Sequence, residues 1–271
     1  MREPFHGRAA YPRLADLGDP LAFPGMAEAA ARLWRAVDAG EPIVVFGDFD
    51  ADGVTATALL TAALEAFGGR VKPFIPDRLN EGYGLSPAAL ARFAAEHPEA
   101  RLVVTVDCGI TAADALRAFR ADGREVIVTD HHLPDASRPL AEACAVVNPH
   151  LPGTPAGCEA LCGAGVAFKL ACALWKTGKA ADRDAARAWD PRAWFDAVAV
   201  ATVADVVPLL GENRLLVHAG LKRLQSQPSP GLKALLRKAL ATAEPPTSHH
   251  LAFLLGPRLN AAGRMCDARP A

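Results

Sequence analysis

The stretch Ile43-Val-Val-Phe-Gly-Asp-Phe-Asp-Ala-Asp-Gly53 decides the fold: four apolar residues run unbroken into a glycine and then three carboxylates at alternate positions, Asp48, Asp50 and Asp52. A short continuous apolar run is what a strand buried on both faces carries. Acids crowded at the mouth of such a strand repel one another, and their pKa values rise unless a cation offsets the charge.

Outward from that point the pattern repeats. β-Branched runs at 71–75, 102–106 and 126–129 alternate with alanine-rich helical stretches at 54–67, 87–96 and 112–120, and 145–147 offers a further strand. This alternation predicts an α/β fold, a parallel sheet with helices on both faces. Ligands of open sheets of this kind bind outside the carboxyl ends of the strands. Asp107 in Val-Thr-Val-Asp-Cys-Gly and the run Asp130-His131-His132 after Val-Ile-Val-Thr stand at two more such ends, so topology alone should bring three distant segments to one edge.

Upstream, the first 25 residues are a lead segment rich in Pro, Gly and Arg, followed by a helix over 26–39 that closes at Gly40. After Cys162 the chain turns mainly helical, over 165–175, 194–203, 213–224, 231–240 and 248–255, with a fourth acid, Asp205, near the end of the second of these. The expected organisation is a lead segment and helix at 1–39, a parallel metal-binding core at 40–150 and a mainly helical remainder at 151–271.

The 271 residues are 51% hydrophobic and 22% charged, with a formal net charge of −1. No global basic field exists, so any polyanion must be gripped locally. No apolar run approaches the roughly 20 residues a membrane helix needs, and Met1-Arg-Glu-Pro-Phe-His lacks the apolar core of a signal peptide. The expectation is a cytoplasmic protein without a membrane partner. Six cysteines, Cys108, Cys144, Cys158, Cys162, Cys172 and Cys266, form no CxxC pair and read as reduced. Cys158 and Cys162 lack two further ligands for a structural zinc.

Carboxylates with imidazole and no thiolate suit manganese or magnesium. Several acids imply two ions, an arrangement suited to in-line attack of an activated water on a phosphoester. Each element also has a plainer reading. Asp-x-Asp occurs in ordinary loops, and Asp-His-His can cap a helix. Gly53 either caps the next helix or permits a tight turn. Arg78 and Asn80 sit in a polar loop that holds a phosphate or is solvated surface. The run Gly256-Pro-Arg-Leu-Asn-Ala-Ala-Gly-Arg264 is a phosphate clamp with flexible glycines or a plain basic loop. Gly163-Ala-Gly165 reads as a close-packing turn, Lys169 as a solvated charge, and Trp175, Trp189 and Trp194 as core.

Taken together, Gly-Asp-Phe-Asp-Ala-Asp-Gly-Val-Thr, Pro-Asp-Arg-Leu-Asn-Glu-Gly-Tyr-Gly-Leu, Val-Asp-Cys-Gly-Ile-Thr, Thr-Asp-His-His, Val-Val-Asn-Pro-His, Leu-Cys-Gly-Ala-Gly-Val-Ala-Phe-Lys, Thr-Val-Ala-Asp-Val-Val-Pro-Leu and Gly-Pro-Arg-Leu-Asn-Ala-Ala-Gly-Arg-Met resemble the DHH phosphoesterase superfamily, over about residues 15 to 265. Within it the loops at 78–85 and 256–265 are similar to those of the exonucleases specific for single-stranded DNA. The resemblance implies a Rossmann-like domain and a manganese- or magnesium-dependent nuclease, with two ions, that digests single-stranded DNA from the 5′ end in repair and recombination, with other repair proteins as further partners. It implies Asp48, Asp50, Asp107, His131 and Asp205 as metal ligands, with Asp107 the bridge, and Asp52, Asp130 and His132 as catalytic groups around them. His132 would contact the scissile phosphate and Asp130 would orient the ligands. Arg78, Asn80, Arg258, Asn260 and Arg264 would bind the nucleic acid. It also implies that a second, DHH-associated domain and an oligonucleotide-binding barrel lie outside this chain. Two alternatives stay open: a phosphoesterase for short oligonucleotides, cyclic dinucleotides or pyrophosphate, and an inactive binding module.

Overall fold

The structure, a computed structural model, describes residues 16–135, 137, 142–240 and 244–265. Most of the lead segment and Cys266 lie outside the described residues. After a helix α1 (Met26–Asp38), the chain builds β1 (Ile43–Phe46), α2 (Ala51–Ala66), β2 (Val71–Phe74), α3 (Arg78–Glu81), α4 (Pro87–Glu96), β3 (Leu102–Val106), α5 (Ala113–Ala121), β4 (Glu125–Thr129) and β5 (Ala145–Val147). The strands form one parallel sheet in the order β2-β1-β3-β4-β5.

Why the strands read as unbroken apolar runs follows from the pleat: alternate residues face opposite sides, and both sides are covered. Ile43, Val45, Leu102, Val104 and Ile127 pack into a core with α1 and α2, whereas Val44, Phe46, Val103, Val126 and Val128 meet Phe93 of α4 and Phe119 of α5. Pro73 sits in β2, an edge strand, where its missing N–H breaks no ladder.

The strand order reverses between β1 and β3: the chain moves outward from β1 to β2, then returns to the other side of β1. The crevice at such a switch point, beyond the carboxyl ends, is where open α/β sheets bind ligands. Register fixes what arrives there. Phe46 is level with Thr105 and Val106 with Thr129, so the residues that follow, Asp48, Asp107 and Asp130, emerge at one rim.

The remainder is helical: α6 (Gly163–Ala180), α7 (Asp184–Ala188), α8 (Phe195–Ala204), α9 (Gly211–Ser226), α10 (Pro230–Ala239), α11 (Ser248–His250) and, after a π turn at Leu251–Leu255, α12 (Gly256–Met265). α6 packs on α1 and α2 and shares their apolar core, so the helical half is no separate layer. None of the described helices is long and apolar enough to cross a membrane.

Gly163-Ala-Gly165 is not a turn before the helix but the first turn of α6 itself, and three further expectations need correction here. The run 256–264 is a helix, not a flexible loop. The π turn before Pro257 shifts the hydrogen-bond register, and the Arg258 guanidinium donates to Leu254 O at 2.7 Å, satisfying a carbonyl at that irregular turn. Lys169 is no solvated charge: it is 2% exposed, with Nζ on both Glu212 oxygens at 3.0 and 2.9 Å and on Gly18 O at 2.8 Å. It ties α6 to α9, because a buried ammonium must be paired and hydrogen-bonded. Third, α2 begins at Ala51, three residues before the apolar pattern starts, because Asp50 caps it.

Candidate metal centre

Each carboxylate is placed by a specific backbone event. Asp50 is the N-cap of α2, its Oδ1 accepting from Asp52 N at 3.0 Å and Gly53 N at 2.9 Å, as short acidic side chains do at helix starts. Gly53 neither caps the helix nor makes a tight turn. It lies inside the first turn, pressed on Asp48, where an added Cβ would stand 2.5 Å from the Asp48 Cβ. Asp48 accepts from its neighbour Phe49 N at 2.7 Å. Asp107 leaves β3 in the left-handed region, φ 60°, which costs a non-glycine residue energy and is tolerated where surroundings enforce it. Asp205 ends α8, and Val206 beyond it is also left-handed at φ 62°, a strained state for a β-branched residue.

These segments converge around one imidazole. His131 Nε2 lies 3.1 Å from Asp107 Oδ1, 3.6 Å from Asp205 Oδ2 and 3.8 Å from Asp52 Oδ2. Yet Asp107 Oδ1, His131 Nε2 and Asp205 Oδ2 are all buried without a hydrogen-bond partner. Three orphaned polar atoms facing one another is a costly arrangement for a protein alone and a fitting one for a cation. Three sets offer ligand atoms within 4.8 Å of one another: Asp48, Asp50 and Asp107; Asp52, His131 and Asp205; Asp107, His131 and His132. The oxygen-rich set with imidazole and no thiolate fits manganese or magnesium. Asp107 and His131 each belong to two sets.

The electrostatics agree. Burial first, then the charge of Asp50, pushes Asp48 up to about 7. Burial, then Asp52 and Asp50, pushes Asp205 up to about 7. Asp107 is raised well above the usual carboxylate range by burial and then by Asp52, Asp50, Asp48 and Asp130. Burial lowers His131, keeping the ring neutral as a ligand must be.

Asp130 behaves differently. Its Oδ1 accepts from His131 N at 2.7 Å and His132 N at 3.1 Å and pairs with His132 Nδ1 at 2.7 Å, while Oδ2 accepts from Ile110 N at 2.9 Å. Burial alone would raise it, but these bonds and the His132 charge hold it below the usual range. The same bond raises His132. Asp52 is likewise engaged, with its two oxygens on Gly163 N at 2.6 Å and Ala164 N at 2.8 Å. It thereby closes the N-terminus of α6, whose dipole favours an anion, and holds that helix end against Asp107. Burial raises it nonetheless.

The residues expected to grip nucleic acid divide into two groups. Arg78 lies over the Phe49 ring, 4.7 Å from guanidinium carbon to centroid, and Arg258 and Arg264 are exposed. The two amides are spoken for within the chain: Asn80 Nδ2 donates to Asp77 Oδ2 at 2.6 Å, and Asn260 Oδ1 accepts from Ala51 N at 2.6 Å. A phosphate contact by either asparagine must use the atoms these bonds leave over.

Sequence reasoning missed two neighbours. Tyr83 lowers the Asp48 pKa against the effect of burial and sets its ring edge-on to Phe49, 6.0 Å between centroids. Buried Asn148 donates to His132 O at 2.9 Å and accepts from His150 N at 2.8 Å, holding the histidine loop. The signal for Asn148 was available: it follows the last apolar strand at the same rim.

Comparison with known proteins places the chain in context. The model of the DHH family, N-terminal domain, matches residues 42–202. A single-stranded-DNA-specific exonuclease RecJ of Dickeya dadantii is 43% identical over 249 residues, 90% of this chain and 42% of that protein. The RecJ of Bacillus subtilis is 39% identical over 257 residues, 95% of this chain and 31% of that protein. A crystal structure of exonuclease RecJ bound to manganese superposes with a TM-score of 0.78 at 40% identity, covering 94% of this chain and 60% of that one. RecJ from Thermus thermophilus in complex with manganese gives 0.75 at 39%, covering 95% and 35%. The chain thus spans less than half the length of these curated relatives.

Proposed function

The chain belongs to the DHH family, and on that premise we propose that it is the metal-binding catalytic portion of a RecJ-like, single-stranded-DNA-specific exonuclease working from 5′ to 3′. The observation that carries this reading is the trio of unpartnered buried atoms, Asp107 Oδ1, His131 Nε2 and Asp205 Oδ2, at the switch point of the sheet. Asp48, Asp50, Asp107, His131 and Asp205 would hold two manganese or magnesium ions, Asp107 being the carboxylate common to two of the ligand sets. Bound there, the ions would supply an activated water and offset the charge gathering on the phosphate.

The chain's own groups do the rest. Asp130 orients His132 through its Nδ1 and raises its basicity, which suits the ring to donate a hydrogen bond to a phosphate oxygen. Asp52 fixes the start of α6 beside Asp107. Arg78, Arg258 and Arg264 supply the local positive charge that a net charge of −1 withholds from the whole chain. In the cell the substrate would be single-stranded DNA arising in cytoplasmic repair and recombination, in company with other repair proteins.

A second reading is favoured by one observation, a cavity of about 430 Å³ beside His132, lined by Tyr83, Ser86, Gly109, Thr111 and Asp130. That is room for a small ligand, as a phosphoesterase acting on short oligonucleotides, cyclic dinucleotides or pyrophosphate would require. The deciding experiment offers manganese with 5′- and 3′-labelled single strands. Release of the 5′ label as mononucleotide supports the exonuclease. Intact strands beside hydrolysed dinucleotide support the second reading, and neither activity in a chain that binds manganese leaves an idle binding module.

A further inference from the structure

We propose that Asn260 is a positioning residue for the metal-binding loop at Asp48–Asp50, and that α12 is the brace that carries it. This rests on the reading of Asp48 and Asp50 as ligands. The loop leaves β1 and enters α2 at once, so its direction is set by how the first turn of α2 is satisfied. Asp50 accepts from the N–H groups of Asp52 and Gly53. A further early donor, Ala51 N, is met by Asn260 Oδ1 at 2.6 Å, from 209 residues away in sequence. The first turn of a helix has no partners of its own for these groups, so Asn260 completes the cap from outside.

Gly256, Asn260 and Gly263 recur at i, i+4 and i+7 and share one face of α12. That face sits on both halves of the site. A Cβ on Gly263 would stand 2.2 Å from Phe49 O, in the middle of the acidic loop. One on Gly256 would stand 2.9 Å from the Cβ of Ala204, the residue before Asp205. Leu255 and Leu259 anchor the helix end in an apolar cluster with Ala199, Val200 and Leu251. α12 therefore touches the loop bearing Asp48 and Asp50 and the helix end bearing Asp205, and Asn260 makes the polar contact. Partners that orient ligands govern metal affinity almost as the ligands do. The oxygen a phosphate-gripping role would leave idle is the one in use.

The test takes the 271-residue chain with Asn260→Ala and Asn260→Asp. Three quantities are read: exchange of the Ala51 amide hydrogen without metal, the manganese dissociation constant by calorimetry, and oligonucleotide affinity in EDTA. Asn260→Ala should speed Ala51 exchange and weaken manganese binding about tenfold. Asn260→Asp, which keeps the acceptor oxygen, should restore both. Unchanged exchange and manganese affinity with weakened oligonucleotide binding overturns the proposal. If Asn260→Ala does not fold, Gly263→Ala is read in the same way, and wild-type manganese affinity in that variant overturns it. A wild-type chain that binds manganese yet cleaves no strand sinks the exonuclease reading alone; one that binds no manganese sinks both.

Discussion

Two corners of one cleft are built from the same side chains and behave as opposites. At the first, Asp130 receives three backbone N–H groups and an imidazole, and it is held below the usual carboxylate range in spite of burial. At the second, Asp107 keeps a buried oxygen with no donor at all, and its pKa is driven up by burial and four neighbouring acids. The protein finishes one carboxylate and leaves the other for something from outside. Counting donors, rather than counting acids, separates a structural carboxylate from one that waits for a cation.

The contrast is sharpest under substitution. Asp107→Ala should lower manganese-dependent cleavage of a 5′-labelled strand by roughly a thousandfold or more, the scale of several kcal/mol of charge stabilisation. Its melting temperature in EDTA should hold or rise, since it removes repulsion. Asp130→Ala should do the reverse to the fold, because it strips partners from one buried and two part-buried N–H groups and from an imidazole; a loss of about 2–4 kcal/mol in urea unfolding is expected. Equal destabilisation by the two variants would erase the distinction between the corners.

Metal should act through the bare corner. Manganese at about a hundred times its dissociation constant should stabilise the wild type by about 2.7 kcal/mol, read as a higher melting temperature, and should give Asp107→Ala much less. The smallest effect is on pH dependence. Asp48 titrates near 7 when folded against 3.8 ordinarily, so the folded chain binds the extra proton between these values and stability falls as pH rises through that window. Asp48→Asn should flatten the slope of apo stability between about pH 5 and 7.5, by on the order of 1–2 kcal/mol, measured as urea midpoints. A slope unchanged by the substitution would move the titrating group elsewhere.

The sheet half of this cleft was readable in the residues because it obeys a rule of topology. Unbroken apolar runs announced buried parallel strands, and Asp48, Asp107 and Asp130 followed as residues at strand ends. The helical half obeys no such rule. Asp205 stands at a helix end whose direction depends on packing between α8, α9 and α2; the residues marked it as a fourth acid, and only the resemblance to known DHH sequences made it a ligand. α12 was hidden for a local reason: its two glycines read as flexible loop, whereas the π turn at Leu251–Leu255 accommodates the proline and the glycines serve close approach. Lys169 misled in the same way, since nothing adjacent in sequence announces Glu212, 43 residues on. Long-range pairs are what a single sequence conceals.

The most direct measurement is anomalous diffraction at the manganese edge from crystals of this chain soaked near neutral pH. Peaks should appear within bonding reach, roughly 2 Å, of Asp107, with Asp48 and Asp50 on one side and His131 and Asp205 on the other. Crystals that hold manganese only at surface carboxylates, with Asp107 and His131 still facing each other bare, would contradict the account.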